Sequence, residues 1–407
     1  MHNRIIGQFF WIAAGRLIAA VLQAGLLLLL ARYVSPAEFG LVSSILGTLI
    51  VVQSITDLGL ATFIVKTRAA DANDGRASYA LQLNLLMCVL TAVLYATILA
   101  VLGMTVNPLF LSALPISVAG GAERAADCRM GLAIADSRAY AATFNLLLRR
   151  ALAIAAFVSL LSVSLAPVAA FSLAVALAGL VSALTAQWIT RGWAPSISNV
   201  GISNILRECR PFWMNSMAVQ ARNLDVAVIA VFSGGVQAGY YSTASRLLSP
   251  LRMIPTSLAS VLLPAVSRNG YALNPALKLI GWVTIASLVI YGAAIVAAPS
   301  AIDIALGSGY SGAVPAVQLA MVGLPFAGAA SLLGSTLQGL GKGRSVATIA
   351  TLTTFVCLTG VMVLGATHGA TGAAAALSMS FVLQAVLLYF QVRRYRRKTG
   401  SLTSGVK

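Results

Sequence analysis

The sequence predicts an all-α polytopic membrane protein, with about twelve transmembrane helices in two six-helix lobes around a central cavity. Of its 407 residues, 59% are hydrophobic and only 9% are charged, whereas about 25% of the residues in a soluble protein are charged. Apolar runs of about 20 residues, the length that crosses a bilayer, recur along the chain. The runs are continuous and rich in Leu and Ala rather than alternating, which favours helices over a barrel.

The apolar runs define twelve spans in chain order. The first run follows Arg4 and is too long for the apolar region of a signal peptide, so we interpret it as a spanning helix. The predicted spans are residues 5–32, 37–65, 78–103, 109–134, 140–164, 168–190, 204–232, 237–266, 277–298, 311–340, 345–366 and 370–391.

Basic residues concentrate on one side of these spans. With the N-terminus inside the cell, the predicted outside turns contain only Arg32 as a base. This asymmetry predicts cytoplasmic N- and C-termini and explains the net charge of +17 without nucleic-acid binding. We expect the tail RRYRRK, residues 393–398, to contact anionic membrane lipids. The bases assigned to cytoplasmic loops include Arg124, Arg129, Arg149 and Arg150.

A weak internal repeat supports the division into two lobes. ARYVSPAEFGLVS, residues 31–43, and AVFSGGVQAGYYS, residues 230–242, each join the first and second spans of a six-span half. The order of the spans predicts an N-terminal lobe at 1–195, a C-terminal lobe at 196–392 and a basic tail at 393–407. Repeats of this kind in transporters place the substrate site between the lobes.

Charged residues inside the predicted spans are the candidates for function. A charge at the centre of a bilayer costs about 2.5–3.5 kcal/mol, so it normally faces a water-filled cavity or a partner. Arginine outnumbers acid four to two among them, which predicts a cationic cavity and an anionic substrate; arginine suits phosphate because its planar fork binds two oxygens. The candidates are Arg16, Arg222, Arg246 and Arg252 for substrate and Asp57 and Asp225 for a coupling ion.

Polar residues at helical spacing extend this set. The pairs on one helix face are Arg16 with Gln23, Gln53 with Asp57, and Asn215 with Arg222. Gln23, Gln53 and Asn215 are therefore the predicted polar lining of the cavity.

Structural explanations for the same charges stay open. Arg16 and Arg252 can extend to a membrane interface along their aliphatic stems. Arg222 and Asp225, three residues apart, can form a structural ion pair. Asp57 can cap a helix break near Gly59.

Enzymatic and cofactor signals are weak. The cysteines, Cys88, Cys128, Cys209 and Cys357, show neither a disulfide framework nor metal-ligand spacing. GLGKGR, residues 339–344, lacks the first glycine and the Ser or Thr of a nucleotide-binding P-loop. The predicted outside turns offer only scattered titratable groups, so we expect no enzymatic activity and no cofactor or metal.

Three stretches resemble a known family. They are LLLLLARYVSPAEFGLVSSILGTLIVVQSITDLGLATFIVK at 26–66, NLDVAVIAVFSGGVQAGYYSTASRLLSPLRMIPTSLASVLLPAVS at 223–267 and QGLGKGRS at 338–345. They are similar to bacterial polysaccharide or O-antigen (Wzx-like) flippases of the multidrug/oligosaccharidyl-lipid/polysaccharide (MOP) exporter superfamily.

The resemblance implies a flippase of the bacterial inner membrane that carries an undecaprenyl-pyrophosphate-linked glycan from the inner to the outer leaflet by alternating access. It implies phosphate binding by Arg16 and Arg246, with Arg252 next, and work beside a polysaccharide polymerase or export machinery. The alternatives are a multidrug exporter of the same superfamily, a membrane polysaccharide polymerase or ligase, and a channel.

Overall fold

A computed structural model describes residues 2–193, 202–269 and 273–404. The described residues are overwhelmingly helical and contain no β-strand, which confirms the all-α prediction. The contacts divide the chain into an N-terminal unit, Met1–Leu224, and a C-terminal unit, Asp225–Lys407. The lobe boundary expected between residues 195 and 196 stays a prediction.

Eight helices among the described residues are long and apolar enough to cross a membrane. Their apolar segments are Ala14–Tyr33, Pro36–Thr56, Gly75–Thr105, Ala139–Ser162, Pro167–Ile189, Pro275–Leu306, Ser308–Gly339 and Gly343–Arg396. The last contains non-helical backbone at Gly369 (φ 60°, ψ −142°), between the predicted spans 345–366 and 370–391.

The N-terminal unit contains nine α-helices and one 3-10 helix within its described residues. They are α1 His2–Tyr33, α2 Pro36–Thr56, α3 Leu60–Ala70, α4 Gly75–Thr105, α5 Leu109–Ser112, α6 Pro115–Ala135, α7 Ala139–Ser162, α8 Pro167–Ile189, α9 Ile202–Gln220 and the 3-10 helix Ala221–Leu224. Helix α6 packs against α3, α4 and α8, and α7 packs against α1 and α8.

A break at residues 57–59 divides the predicted span 37–65 into α2 and α3. Helix α2 begins with a capping box between Ser35 and Glu38 and ends at Asp57. Leu58 and Gly59 then take left-handed backbone angles, with φ of 51° and 78°. A Cβ on Gly59 would lie 2.6 Å from the carbonyl oxygen of Cys209, so this site requires glycine for space as well as for angle.

The C-terminal unit contains six α-helices and one 3-10 helix in its described part. They are α10 Asp225–Ser233, α11 Gly235–Leu247, α12 Ser249–Asn269, α13 Leu273–Leu306, the 3-10 helix Ser308–Ala313, α14 Val314–Gly339 and α15 Gly343–Ser404. Helix α14 packs against α12, α13 and α15, and α10 packs against α11 and α15. The predicted span 237–266 is two helices, α11 and α12, that meet at Leu248, just before Pro250.

The assignment of four arginines to cytoplasmic loops is wrong. Arg124 and Arg129 lie within α6, and Arg149 and Arg150 lie near the middle of α7. Helix interiors tolerate these cations because carboxylates on α2 and α6 pair with three of them.

Candidate functional site

Asp57 is the C-cap residue of α2, and it contacts α6. Its carboxylate is 4% exposed and forms an ion pair with Arg124 on α6. One turn earlier, Gln53 donates from Nε2 to the carbonyl oxygen of Gly120, at 2.8 Å. The predicted polar stripe of α2 therefore faces a neighbouring helix of the same unit, and both of its members have protein partners.

A second ionic cluster joins α6 to α7. Arg149, whose side chain is 3% exposed, lies with Nη1 3.0 Å from Asp127 Oδ1 and with Nε 3.7 Å from Glu123 Oε1. Arg150 Nη1 lies 3.3 Å from the same Glu123 oxygen. Each of these carboxylates is thus engaged by arginine.

Arg16 lines a pocket of about 250 Å³ between α1, α6 and α7. Asp127 and Thr143 supply polar groups to the pocket, and apolar side chains of α6 and α7 complete it. Gln23 lies on the exposed surface of α1, two turns further along the helix. Of the two α1 candidates, the structure brings Arg16 to a carboxylate-bearing pocket and leaves Gln23 on the surface.

The residues of the α6–α7 cluster were not among the functional candidates predicted from the sequence. The available signal was the spacing of Glu123 and Asp127, which are four apart and so share a face of α6. Assigning Arg149 and Arg150 to a loop removed their partners from consideration.

The candidates between residues 215 and 225 have different surroundings. Arg222 is half-buried in the 3-10 helix Ala221–Leu224. Asn215 lies on α9, but its side chain is outside the described residues. Asp225 is buried at the start of α10, where Oδ2 accepts a hydrogen bond from the Tyr241 hydroxyl at 2.8 Å and Oδ1 accepts one from the Val226 N–H at 2.8 Å. The Arg222–Asp225 ion pair stays a prediction.

Arg246 and Arg252 lie on separate helices of the C-terminal unit. Arg246 is half-buried in the last turn of α11 and interacts electrostatically with Asp225. Arg252 is on α12, with its Cζ 5.8 Å from the centre of the Phe381 ring, a cation–π distance. Arg246 therefore lies within electrostatic range of Asp225, and Arg252 lies against α15.

Charged pairs also stabilise the ends of the helices, outside the predicted spans. Arg68 Nη2 lies 2.7 Å from Asp136 Oδ2, and this hydrogen-bonded pair raises the pKa of Arg68 above its ordinary value. Asp74, the N-cap of α4, has a lowered pKa because the Arg76 side chain donates to its carboxylate. The Arg68–Asp136 pair connects α3 to the loop after α6, whereas the Asp74–Arg76 pair is local to the start of α4.

Within residues 2–193, 202–269 and 273–404, no group of three or more His, Cys, Asp or Glu side chains is arranged to hold a metal ion. The four cysteines are buried and reduced.

Solved structures share the fold along almost the whole chain. An inward-facing multidrug resistance MATE family transporter of the MOP superfamily is 16% identical, with a TM-score of 0.76 over 96% of both chains. The lipid II flippase MurJ, in an inward closed conformation, is 13% identical, with a TM-score of 0.70 over 94% of this chain and 87% of that one. A MOP superfamily transporter from Pyrococcus furiosus is 14% identical, with a TM-score of 0.69 over 95% of both chains.

These likenesses confirm the predicted superfamily fold, which among these structures is that of transporters and flippases rather than enzymes. The chain is thus a multi-pass membrane protein. No curated protein matches the sequence. The family model described as "Polysaccharide biosynthesis protein" matches residues 6–269. Because this match covers more than half of the chain, the protein belongs to the polysaccharide biosynthesis protein family.

Proposed function

We propose that the protein is a flippase that moves a lipid-linked oligosaccharide or polysaccharide precursor, of the undecaprenyl-pyrophosphate type, from the cytoplasmic to the outer leaflet. It works by alternating access and serves cell-surface polysaccharide biosynthesis. The observation that carries this proposal is the surplus of arginine in the helices of the N-terminal unit. Family membership supports the polysaccharide part of it.

The surplus appears when α1, α2, α6 and α7 are considered together. The interiors of these helices, with the C-cap of α2, contain three acids, Asp57, Glu123 and Asp127, and five arginines, Arg16, Arg124, Arg129, Arg149 and Arg150. All three acids are engaged by arginine. The remaining field is positive, which favours an anionic substrate and disfavours the organic cations that an acidic cavity would bind.

The C-terminal unit adds two arginines in the region that resembles the seventh and eighth spans of the flippases. Asp225 is the acid beside Arg246, and it already accepts a hydrogen bond from Tyr241. We assign Arg246 as the principal phosphate ligand of this unit and Arg252 as a second one. Arg16, in its pocket, is the phosphate ligand of the N-terminal unit, and Arg222 is the weakest of the four candidates.

The surroundings of the two candidate coupling acids support different roles. Asp57 is buried in an ion pair at a helix end, which suits a structural role. Asp225 is held by a tyrosine hydroxyl and a backbone N–H, neither of which carries charge. Asp225 is therefore our candidate for coupling to an ion or proton.

The proposed topology has both termini in the cytoplasm of a bacterium, with the protein in the inner membrane. The substrate is an anionic lipid-linked glycan, loaded from the cytoplasmic leaflet. A polysaccharide polymerase or export machinery takes the product on the other side.

The test is a leaflet assay of the lipid-linked glycan in a strain that lacks the gene. The strain is complemented with the wild type, Arg246→Ala or Arg246→Lys, and insertion of each protein in the membrane is checked. Loss of a buried charged contact costs about 2–5 kcal/mol, so we expect Arg246→Ala to lower translocation at least tenfold. The matched control is Arg344→Ala, because Arg344 is exposed in the first turn of α15.

Accumulation of glycan on the cytoplasmic side with Arg246→Ala, together with normal rescue by Arg344→Ala, supports the flippase. If the glycan distribution is unchanged in the deletion strain and the cells become sensitive to cationic drugs, the result contradicts the flippase and supports a multidrug exporter.

A further inference from the structure

A second pocket lies where the loops after α3, α6 and α8 meet, away from the proposed transport residues. Its volume is about 340 Å³, within the range of about 300–1,000 Å³ found for small-molecule sites. Asn73, Asp136, Arg138 and Trp193 are among the residues that line it. All of these loops are on the predicted cytoplasmic side.

Arg68 holds the three loops together and so fixes the walls of the pocket. Its Nε and Nη2 donate to the two carboxylate oxygens of Asp136, at 2.8 and 2.7 Å. Its Nη1 donates to the carbonyl oxygens of Ala72 and Trp193. The guanidinium and the carboxylate neutralise each other, so this pair shapes the pocket without charging it.

Arg138 supplies a further positive charge. Its Cζ lies 4.4 Å from the centre of the Trp193 ring, and the residue is exposed beside the pocket. A guanidinium stacked on an aromatic ring keeps its hydrogen-bond donors directed sideways, towards a ligand. Asp71, on the α3–α4 loop, accepts a hydrogen bond at Oδ1 from the Asn73 N–H, at 2.9 Å.

Aromatic side chains next to the pocket mark the membrane interface. Trp188, near the end of α8, is 76% exposed, and Tyr140, at the start of α7, is 62% exposed. Exposed Trp and Tyr at the ends of spanning helices lie at the depth of the lipid headgroups. A ligand would therefore enter this pocket from the lipid headgroup region.

We propose that this pocket binds the phosphate of an anionic phospholipid headgroup, with Arg138 as the phosphate ligand and Trp193 as the platform that orients it. Basic pockets at the cytoplasmic ends of spanning helices are the usual binding sites for such headgroups. The proposal does not depend on the transported substrate and involves none of the residues assigned to it.

The test measures lipid binding to the purified full-length protein by native mass spectrometry. Phosphatidylglycerol is the anionic probe, phosphatidylcholine the zwitterionic one, and inorganic phosphate and a polyprenyl phosphate are the competing sources of the same group. The variants are Arg138→Ala, Arg138→Lys and, as the matched exposed control, Arg344→Ala. One arginine near an anionic headgroup contributes about a fivefold change in affinity.

Supporting results are preferential binding of phosphatidylglycerol, about fivefold weaker binding by Arg138→Ala, recovery in Arg138→Lys and no change in Arg344→Ala. Equal binding of the two phospholipids, or unchanged binding by Arg138→Ala, would overturn the site. Arg138-dependent binding of inorganic phosphate alone, or preference for the polyprenyl phosphate, would overturn the phospholipid assignment.

Discussion

The two units of the chain stabilise the carboxylates of their helices in different ways. In the N-terminal unit, Asp57 is paired with Arg124, and Glu123 and Asp127 are paired with Arg149. In the C-terminal unit, Asp225 accepts its hydrogen bonds from a tyrosine hydroxyl and a backbone N–H. The N-terminal acids form ion pairs with arginine, whereas the two hydrogen-bond donors of Asp225 are uncharged groups.

This difference teaches that arginines in membrane helices fall into two groups. Arg124 and Arg149 join α6 to its neighbours, and each helps to offset an acid that would otherwise be uncompensated. Arg252 lies with its Cζ 5.8 Å from the centre of the Phe381 ring, which is an uncharged contact with α15. Counting charges in spans therefore overestimates the number of substrate ligands, since the first group has a structural role.

The largest expected effect comes from breaking an ion pair of the N-terminal unit. Asp57→Asn leaves Arg124 without its carboxylate, and removing one partner of a buried pair costs about 3–5 kcal/mol. Because Arg124 is partly exposed, we expect about 3 kcal/mol of destabilisation. Thermal unfolding of the purified protein in detergent measures this loss.

The control for Asp57→Asn is the double variant Asp57→Asn/Arg124→Met, which removes both charges. We expect it to be more stable than the single variant, because no uncompensated charge remains. A single variant as stable as the wild type would remove the distinction between the two groups of arginines.

The next effect concerns the helix break that positions Asp57. Gly59→Ala places a Cβ 2.6 Å from the Cys209 carbonyl oxygen at a φ of 78°, and we expect a loss of about 2–4 kcal/mol in the free energy of unfolding. Gly192→Ala is the matched control, because Gly192 has the same φ and no atom within 4 Å of the added Cβ. It should cost only about 1–2 kcal/mol, the penalty for the left-handed angle. Equal melting temperatures for the two variants would contradict the close contact with α9.

The elements that form without long-range partners were predictable from sequence. Helix α4, Gly75–Thr105, matches the predicted span 78–103 because an uninterrupted apolar run has few other stable states in a membrane. A helix end capped by Asp57 was also among the interpretations, because an aspartate with a glycine two residues later, Gly59, is a local signal for a break.

The ionic clusters were not predictable in the same way. Arg124 and Asp57 are far apart in sequence, and one amino-acid sequence alone does not indicate which helices pack together. Arg246 and Arg252 were assigned to one span because apolar composition continues through Leu248, where the chain changes helix. Hydropathy measures compatibility with lipid, and it does not report the partner of a buried side chain.

A smaller effect is expected when the hydrogen bond to Asp225 is removed. Tyr241→Phe leaves a buried carboxylate with one donor fewer, and hydrogen bonds to charged groups contribute about 1.5–3 kcal/mol. Tyr95→Phe is the matched control in the N-terminal unit, because the partners of the Tyr95 hydroxyl, the Ile45 carbonyl oxygen and the Thr48 hydroxyl, each at 2.6 Å, are uncharged. Its loss should cost about 0.5–1.5 kcal/mol. Chemical denaturation of both variants gives the two losses, and a larger loss for Tyr95→Phe would contradict a hydrogen bond from Tyr241 to a charged carboxylate.

The smallest effect is a pH dependence at the start of α4, where an acid pairs with arginine outside the spans. The pKa of Asp74 is below its ordinary value of 3.8 because the Arg76 side chain donates to it. A lowered pKa means that the stabilisation is complete above the ordinary value and is lost as pH falls through the pKa of the folded state. Asp74→Asn keeps an N-cap acceptor and removes the charge, so its deficit relative to the wild type should be present at neutral pH and shrink in acid. Melting temperatures of the two proteins from neutral pH to about pH 3 test this, and a deficit that stays constant would show that the cap, rather than the charge, is what Asp74 contributes.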